Sequence, residues 1–451
     1  MFDIEQLAEA VTEPSARGIA AAVGRLISDG TCEAGTRLPT VREVSRRLGL
    51  SPTTVSDAWQ RLARFGLVEG RGRLGTFVTP RTRTGGARRY RSMTSAAGHV
   101  DLDLSTGSPD PLLLPDIVAA VGRLQAASMA TNYWERPVLP ALEELLRERQ
   151  PFAAESLTVV DGALDALDRV ATWALGLGDR VIVENPAFPP LLDLLDLVGA
   201  EVIPVGGDDE GMDPVAFAKA LELRPRAVFL QPRAHNPTGR SMSTARAEQL
   251  AGLLAGHSTL VVEDDHSGDI STSPNLSLGR WLPERTVRIT SFSKSHGPDL
   301  RLAAVAGPHD VIDAVVERRA IGPAWSSRIL QGVLAALLED PVAVSTVERA
   351  RETYCVRRHA LVAALHEHGV EVGGSDGINL WVPTEDERSS TVSLAARSIG
   401  VAPGFPFEAA PLPTEHIRVT VSMVRDDVQS VAAALAEAVQ GRRSSGRHQS
   451  R

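Results

Sequence analysis

The chain of 451 residues is 43% hydrophobic and 23% charged, which is ordinary for a soluble globular protein, and its length predicts about two or three domains. A formal net charge of −9 excludes a protein that binds polyanions over its whole surface. The charge is unevenly spread, because residues 1–95 hold 15 arginines, no lysine and 9 acidic residues, a balance of +6 that leaves −15 for the remainder. A basic segment on an acidic body indicates a local nucleic-acid contact.

Cysteines, the N-terminus and hydropathy argue for a cytoplasmic protein without membrane contact. Cys32 and Cys355 lie far apart and in no metal-ligand spacing, so we expect neither a disulfide nor a metal site. The acidic N-terminus lacks the basic start and apolar run of a signal peptide. No apolar stretch approaches the ~20 residues that a membrane span requires.

Residues 12–79 predict a small domain of three helices and a β-hairpin. An apolar stripe of helical period predicts the first helix. A capping box at Thr40–Glu43 opens the second helix, and Ser51, followed by proline, caps the third, which runs to about Gly66. Two short strands around a glycine-rich tip follow at 67–78. The tight turn between the last two helices predicts a helix-turn-helix with the hairpin as its wing.

Two other segments are predicted to lack regular structure. Residues 80–100 are polar, basic or small without an apolar period, and they predict a basic linker. Residues 441–451 predict a disordered tail for the same reason.

The body, residues 101–440, alternates short apolar runs with helical stretches, a pattern typical of an α/β domain with a largely parallel sheet. The candidate strands are 181–183, 227–230, 260–262, 287–289 and 303–306. Ligands of such sheets bind beyond the carboxyl ends of the strands. Because polar segments follow four of these runs, we predict one site assembled from several loops.

Lysine is nearly absent from the chain, whose two lysines are Lys219 and Lys294. Lys294 stands in the polar segment after the run at 287–289. A lysine amine can deprotonate and form a Schiff base, which a guanidinium cannot do. Lys294 is therefore a candidate Schiff-base lysine, and the alternative is a surface lysine in an arginine-rich chain.

Three motifs of the body resemble those of fold-type I aminotransferases, which bind pyridoxal 5′-phosphate (PLP). They are Ser291–Lys294 followed by Arg301, Asn236–Gly239, and Glu263–Asp265. One such motif is weak evidence, but these three agree with the family in order and interval over most of the body. The resemblance implies an aminotransferase-like domain that holds PLP on Lys294.

The resemblance also implies a role for each site residue. Lys294 forms the Schiff base, Asp264 pairs with the pyridine nitrogen, and Asn236 bonds the ring's phenolic oxygen. Phe188 stacks on the ring, and Arg418 binds the carboxylate of an amino compound. The phosphate is assigned to Ser291, Ser293, Arg301 and the backbone of Gly162 and Ala163. For three of these the alternatives are a core aromatic (Phe188), an exposed strand residue (Arg418) and a helix-start glycine (Gly162).

The N-terminal domain of residues 12–79, which we call the head, resembles the winged helix of GntR-type regulators from Gly35–Arg42 through Gly75–Val78. A GntR head joined by a linker to an aminotransferase-like body is the plan of the MocR subfamily, and the resemblance covers nearly the whole chain. It implies that the third helix enters the major groove of duplex DNA by its N-terminal end. The DNA-contacting candidates are Arg37, Arg42, Thr53, Thr54, Arg71 and Arg73.

Three positions depart from the family pattern. Pro52 stands where members usually have an arginine, which changes base readout there. His266 replaces a tyrosine that bonds the phenolic oxygen, and because histidine can also donate, we expect altered rather than lost cofactor binding. Near Tyr133, a candidate phosphate contact across a dimer, Val138 and Glu143 replace a glycine and an arginine.

Three hypotheses of function are compatible with these residues. The first is a homodimeric regulator, each head on the partner's body, that senses PLP and an amino acid or amine at Lys294 with little or no turnover. The second is a working aminotransferase that carries a DNA-binding head. In the third, the body has lost PLP and only dimerises. The retained PLP residues argue against the third, and His266 and the departures near Tyr133 argue against efficient transamination.

Overall fold

The computed structural model describes residues 4–11, 13–28, 31–64, 67–79, 88–94, 100–124 and 134–441. The chain divides into two compact units. The first takes in residues 1–87 with the segments 175–180 and 193–201, and the second takes in the rest.

The described part of the N-terminal segment contains four α-helices and a two-stranded hairpin. They are α1 (Ile4–Ala10), α2 (Ala16–Ser28), α3 (Val41–Leu48), α4 (Pro52–Arg64), β1 (Val68–Gly70) and β2 (Thr76–Val78). The last five elements are those that the sequence predicts. Helix α1 precedes the predicted domain start at residue 12, and its Leu7 is buried in the same core as Val44, Val55 and Leu62.

Local hydrogen bonds build the turn between α3 and α4. The Thr40 hydroxyl accepts from the Glu43 N–H at 3.3 Å, and the Glu43 carboxylate accepts from the Thr40 N–H at 2.7 Å, which is the predicted capping box. Helix α3 ends at Gly49, whose φ of 68° lies in the left-handed region. The Ser51 hydroxyl then accepts from the Thr54 N–H at 3.1 Å and caps α4.

The elements after residue 87 form an α/β fold. The helices are α5 (Arg88–Thr94), α6 (Ile117–Val121), α7 (Pro140–Glu148), α8 (Ala163–Ala174), α9 (Pro189–Val198), α10 (Pro214–Glu222), α11 (Thr244–Leu254), α12 (His309–Ala320), α13 (Arg328–Glu339), α14 (Pro341–Glu367), α15 (Glu387–Ala395) and α16 (Val428–Val439). The strands are β3 (Leu102–Asp103), β4 (Ser156–Val160), β5 (Arg180–Glu184), β6 (Glu201–Val205), β7 (Gly207–Asp208), β8 (Gly211–Met212), β9 (Ala227–Leu230), β10 (Leu260–Asp265), β11 (Thr286–Ser291), β12 (Ala303–Gly307), β13 (Asn379–Thr384), β14 (Ile399–Gly400), β15 (Ala402–Pro403) and β16 (Glu415–Thr420).

A seven-stranded sheet of order β4-β12-β11-β10-β9-β5-β6 forms the centre of this fold. Strands β5, β9, β10 and β11 pair in parallel, as predicted for a largely parallel sheet. The predicted run at 303–306 is β12, which is antiparallel to both β11 and β4. A smaller sheet of order β13-β16-β15 lies later in the chain.

The predicted linker contains a helix. Residues 88–94 form α5, and its Met93 is buried in a cluster with Trp381, Ala402 and Phe407. A single anchoring side chain produces no apolar period, so the sequence pattern did not reveal this helix. The rest of the predicted linker, apart from residue 100, lies outside the described residues, at 80–87 and 95–99. The predicted tail lies outside them from residue 442 onward.

Within the described residues, no single helix is long and apolar enough to cross a membrane. Helices α13 and α14, which are bent by 78° at their junction, together have the length and apolar composition of a membrane span, and nothing more than length and composition supports this. In the same part of the chain, no group of three or more His, Cys, Asp or Glu side chains could hold a metal ion.

Candidate functional site

The carboxyl ends of β9, β10 and β11 bring predicted site residues to one edge of the central sheet. Asp264 stands near the end of β10, and Ser291 is the last residue of β11. Asn236 lies in the loop after β9, and Lys294 follows β11 by three residues. Because these three strands are parallel, their carboxyl ends meet at the same edge.

Asp264 is buried, and one of its carboxylate oxygens lacks a partner among the described residues. Oδ2 accepts from Gln231 Nε2 at 2.7 Å, whereas Oδ1 makes no hydrogen bond. Burial raises the pKa of Asp264 to about 6, although the Gln231 hydrogen bond and Lys294 act in the opposite direction. A protonated ring nitrogen placed at Oδ1 would satisfy this oxygen and favour the charged carboxylate.

Lys294 is partly buried beside groups of both charges. Burial lowers its pKa to about 8, the Asp264 carboxylate opposes this shift, and Arg418 adds to it. A lowered pKa increases the fraction of neutral amine, which is the form that attacks a carbonyl.

His266 presents a free ring nitrogen at the same edge. Its Nδ1 lies 3.2 Å from the Ser267 hydroxyl, whereas its Nε2 has no partner among the described residues. Burial, with Lys294 as the next cause, lowers the pKa of His266 well below its usual value, so the imidazole is neutral at physiological pH. Nε2 is therefore available to a ring substituent as donor or acceptor, according to the tautomer.

We expect His266→Tyr to change the pH titration of the visible absorption of the PLP-loaded protein. A tyrosine hydroxyl always carries a proton to donate, whereas neutral His266 donates from Nε2 in only one tautomer. The tyrosine should therefore stabilise the charged phenolic oxygen more, and the midpoint should fall by about one unit, the equivalent of one hydrogen bond to a charged group. His366→Tyr, which changes an exposed histidine, is the matched control and should leave the midpoint in place. Identical titrations of His266→Tyr and wild type would show that His266 does not contact the ring.

Gly162 and Arg301 form a cradle at the start of α8. Gly162 has φ +98°, and a Cβ added to it would lie 3.1 Å from Arg301 Nη2. The exposed Arg301 guanidinium and the first N–H groups of α8, from Ala163 onward, therefore share one space that suits an anion. Ser291 and Ser293 lie side by side at the end of β11, where the Ser291 hydroxyl accepts from the Ser293 N–H at 3.3 Å.

Asn236 and Phe188 lie in the loops after β9 and β5. The Asn236 N–H donates to Gln231 Oε1 at 2.8 Å, and its Oδ1 accepts from Asn379 Nδ2 at 3.4 Å. Phe188, Gln231 and Asp264 line a cavity of about 280 Å³, open solvent included, which we call the cofactor cavity. An aromatic face and a carboxylate on one cavity match what a stacked pyridine ring requires.

Arg418 lies in β16 with its side chain buried. It donates to the backbone oxygen of Ser105, and its guanidinium carbon lies 5.4 Å from the centre of the Phe407 ring. Burial lowers its pKa to about 10, and its Nε has no partner in the part of the chain that the structure describes. A buried guanidinium with a free donor is suited to an anionic ligand.

Gln231 is a further site residue, which belongs to none of the three sequence motifs. Its backbone N–H donates to Glu184 Oε2 at 2.7 Å, its Nε2 bonds Asp264, and its Oε1 accepts from Asn236. The available signal was its position as the first residue after β9, at the edge where the other site residues lie.

In the head, the candidate base-reading residues lie at the start of α4. Thr53 is exposed, and Thr54 is half-buried with its hydroxyl 2.8 Å from that of Ser51. Pro52 is the first helical residue. Arg42 is exposed at the start of α3.

The wing candidates lie close to one another. Arg71 Nε donates to Glu69 Oε1 at 2.6 Å, and its guanidinium lies 4.9 Å from the centre of the Phe77 ring. The exposed Arg37 reaches the wing, where a Cβ on Gly75 would lie 2.7 Å from its Nε. The side chain of Arg73 and the whole of Tyr133 lie outside the described residues.

Comparisons with known proteins agree with both halves of the chain. The family model of the aminotransferase class I and II domain matches residues 100–435, and that of the bacterial regulatory proteins of the gntR family matches residues 15–78. The vitamin B6 salvage pathway transcriptional repressor PtsJ of Salmonella typhimurium is 34% identical over 91% of this chain and 95% of its own. The HTH-type transcriptional regulator TauR of Rhodobacter capsulatus is 28% identical over 84% of this chain and 86% of its own.

Among solved structures, the α-aminoadipate aminotransferase LysN of Thermus thermophilus matches with a TM-score of 0.70. The match covers 78% of this chain and 94% of LysN at 22% identity, so it shows the fold alone.

Proposed function

The chain belongs to the MocR-type transcription regulators, and we propose that it binds operator DNA through its head and senses an amino acid or amine at Lys294. Its gntR-family domain binds DNA, and its aminotransferase class I and II domain uses PLP. One observation carries the proposal of sensing. The buried atoms Asp264 Oδ1 and His266 Nε2 are both unpaired among the described residues, beside the lysine that the family motif marks.

The residues present fit PLP. Asp264 Oδ1 matches a pyridine nitrogen, and the cradle of Gly162 and Arg301 matches a phosphate. Phe188 lines the same cavity as Asp264 and offers a surface on which a ring can stack. When bound, PLP supplies an electrophilic carbonyl that reacts with amines and a ring that withdraws electrons.

Each of these residues then has a task in sensing. Lys294 would hold the cofactor through its amine, and Asp264 would keep a proton at the ring nitrogen. Asn236 and His266 would bind the phenolic oxygen. Arg418 binds the carboxylate of an amino-acid effector and so orients its amine.

In the head, we propose that α4 enters the major groove by its N-terminal end. Because the Thr54 hydroxyl already contacts Ser51, Thr53 is the more accessible of the two threonines for a base edge. Arg42 and the wing arginines grip phosphates. As in the MocR plan, the protein would be a cytoplasmic homodimer in which each head packs on the partner's body.

A second candidate function is transamination, because Lys294, Asp264 and Arg418 together form a set that can bind PLP and a substrate carboxylate. His266 in place of the family's tyrosine favours sensing with little or no turnover.

The test is operator affinity, measured by fluorescence anisotropy on the PLP-loaded dimer with and without the amino compound that changes its visible spectrum. A typical allosteric coupling predicts a roughly 5–150-fold change in affinity. Lys294→Ala is expected to remove this change, whereas Lys219→Ala, the matched control in α10, should keep it. Arg42→Ala should weaken binding to every DNA sequence, and the ratio of operator affinities with and without the amino compound should stay the same.

Rapid turnover without a change in operator affinity would support the second candidate function, transamination. If the compound is converted rapidly to its keto acid while operator affinity does not move, the chain is an aminotransferase with a DNA-binding head and the sensing proposal fails.

A further inference from the structure

A second cavity, of about 470 Å³ when the solvent at its mouth is included, lies beside the cofactor cavity and has no part in the function proposed above. We call it the rear cavity. Its apolar lining includes Met212, Met242 and Leu250, and its polar lining includes Glu184 and Arg240.

The two cavities lie mainly on opposite faces of the central sheet. The apolar lining of the rear cavity belongs to the hydrophobic cluster that also contains Val261, whereas Val262 lines the cofactor cavity. Successive side chains of a strand point to opposite faces, which explains this separation. Glu184 and Gln231 border both cavities and form the wall between them.

Glu184 has no cationic partner within ion-pair distance among the described residues. Its Oε2 accepts from the Gln231 N–H at 2.7 Å and lies 3.3 Å from His235 Nε2. His235 supplies no charge at neutral pH, because burial lowers its pKa to about 3. Burial raises the pKa of Glu184 to about 8, while the Gln231 hydrogen bond and Arg240 oppose this shift. At neutral pH Glu184 is therefore largely protonated, and an ammonium group entering the cavity would supply the missing countercharge and favour the carboxylate form.

Arg240 provides the opposite charge and is weakly engaged. Its Nε contacts Asp209 Oδ1 at 3.2 Å, and its Nη1 donates to the backbone oxygen of Gly207 at 3.1 Å. The Asp209 side chain is 76% exposed, and exposed ion pairs contribute little to stability. A ligand carboxylate can therefore take the place of Asp209.

We propose that the rear cavity is a second ligand site, which binds a zwitterionic α-amino acid with an apolar side chain. The ammonium group pairs with Glu184, the carboxylate pairs with Arg240, and the side chain packs on Met212, Met242 and Leu250. Binding needs no cofactor. Gln231 connects the two sites, since its N–H holds Glu184 and its Nε2 holds Asp264.

The experiment is calorimetric titration of L-leucine into the full-length Lys294→Ala protein prepared without PLP, so that its outcome is independent of the sensing function. We expect L-leucine to bind, and isoamylamine and 4-methylpentanoate, each with one of its two charges, to bind at least about tenfold more weakly, as expected for loss of one charge-assisted contact. Absence of L-leucine binding, or equal binding of all three probes, would overturn the proposal.

Two variants in the same background locate the site. Glu184→Gln keeps the acceptor for Gln231 but removes the charge, and Arg240→Gln removes the other charge; each should weaken L-leucine binding roughly tenfold or more. Glu248→Gln, on the exposed side of α11, is the matched control and should bind normally. Thermal unfolding verifies folding, and if Glu184→Gln unfolds early, Arg240→Gln decides alone. Unchanged binding in a folded variant would place L-leucine elsewhere and refute the assignment.

Discussion

Replacement of Lys294 by alanine is expected to abolish covalent retention of PLP. Borohydride reduces the bond between the cofactor and a lysine amine, so reduced wild-type protein should keep PLP through denaturation. Alanine offers no amine, and the other lysine of the chain, Lys219, stands in α10, away from the strand ends that carry the site. The measurement is the mass of the denatured protein together with the visible absorption band before reduction.

Lys219→Ala is the matched control and should retain the cofactor as wild type does. A colourless wild-type protein that takes up no PLP, or a Lys294→Ala protein that keeps it covalently, would contradict the assignment of Lys294. A variant of the neighbouring Asp264 distinguishes an effect on the cofactor ring from an effect on covalent attachment. If Asp264→Asn alters the spectrum but retains the covalent bond, Asp264 acts on the ring rather than on attachment.

The second large effect is expected at Asp265, which is fully buried between two arginines. Its Oδ2 accepts from Arg233 Nη2 and from Arg288 Nη2, each at 2.6 Å. Burial alone would raise the pKa of Asp265, but Arg288 and Arg233 outweigh burial and lower the pKa below its ordinary value. Asp265 follows the cofactor residue Asp264 directly, so this triad fixes the end of β10.

Asp265→Asn should lower the free energy of unfolding by about 3–5 kcal/mol, because Arg233 loses its buried carboxylate and Arg288 keeps only the longer contact to Glu263 Oε2 at 3.5 Å. Denaturant unfolding of the body measures this change. Asp269→Asn is the control, since Asp269 also pairs with an arginine at 2.6 Å but is 31% exposed, and it should cost under ~1 kcal/mol. Equal and small losses in the two variants would contradict the account of the triad.

The pH dependence of the same experiment has a definite sign. The lowered pKa of Asp265 means that its stabilising contribution is complete above the unfolded value of about 3.9 and is lost as the pH falls through the folded value. The difference in unfolding free energy between wild type and Asp265→Asn should therefore be constant near neutrality and shrink at acid pH below about 4. A difference that grows with acid would assign the stabilisation to another group.

Contacts between distant segments escaped the sequence analysis. Met93 anchors α5 on Trp381 and Phe407, about 300 residues later. Gln231 bonds Glu184, Asp264 and Asn236 through one side chain and one N–H, and its position after β9 indicates the edge of the sheet but not these partners. Such bonds depend on which strands become neighbours.

By itself, the sequence determined the features whose partners lie within a few residues or whose spacing is that of a known motif. The capping box of Thr40 and Glu43, the end of α3 at Gly49 and the buried strands 227–230 and 260–262 belong here, because hydrogen-bond reach along one turn and apolar runs are local properties. The order of Asn236, Asp264 and Lys294 also placed one site at the strand ends.

Only the tertiary structure decided the direction of β12, the triad around Asp265 and the wall of Glu184 and Gln231 between two cavities. A run of alanine and valine is equally apolar in either direction, so its pairing is chosen by the strands on both sides of it. Asp265 and its two arginines meet only after β9, β10 and β11 are paired, and the arginines then keep the carboxylate charged despite its burial.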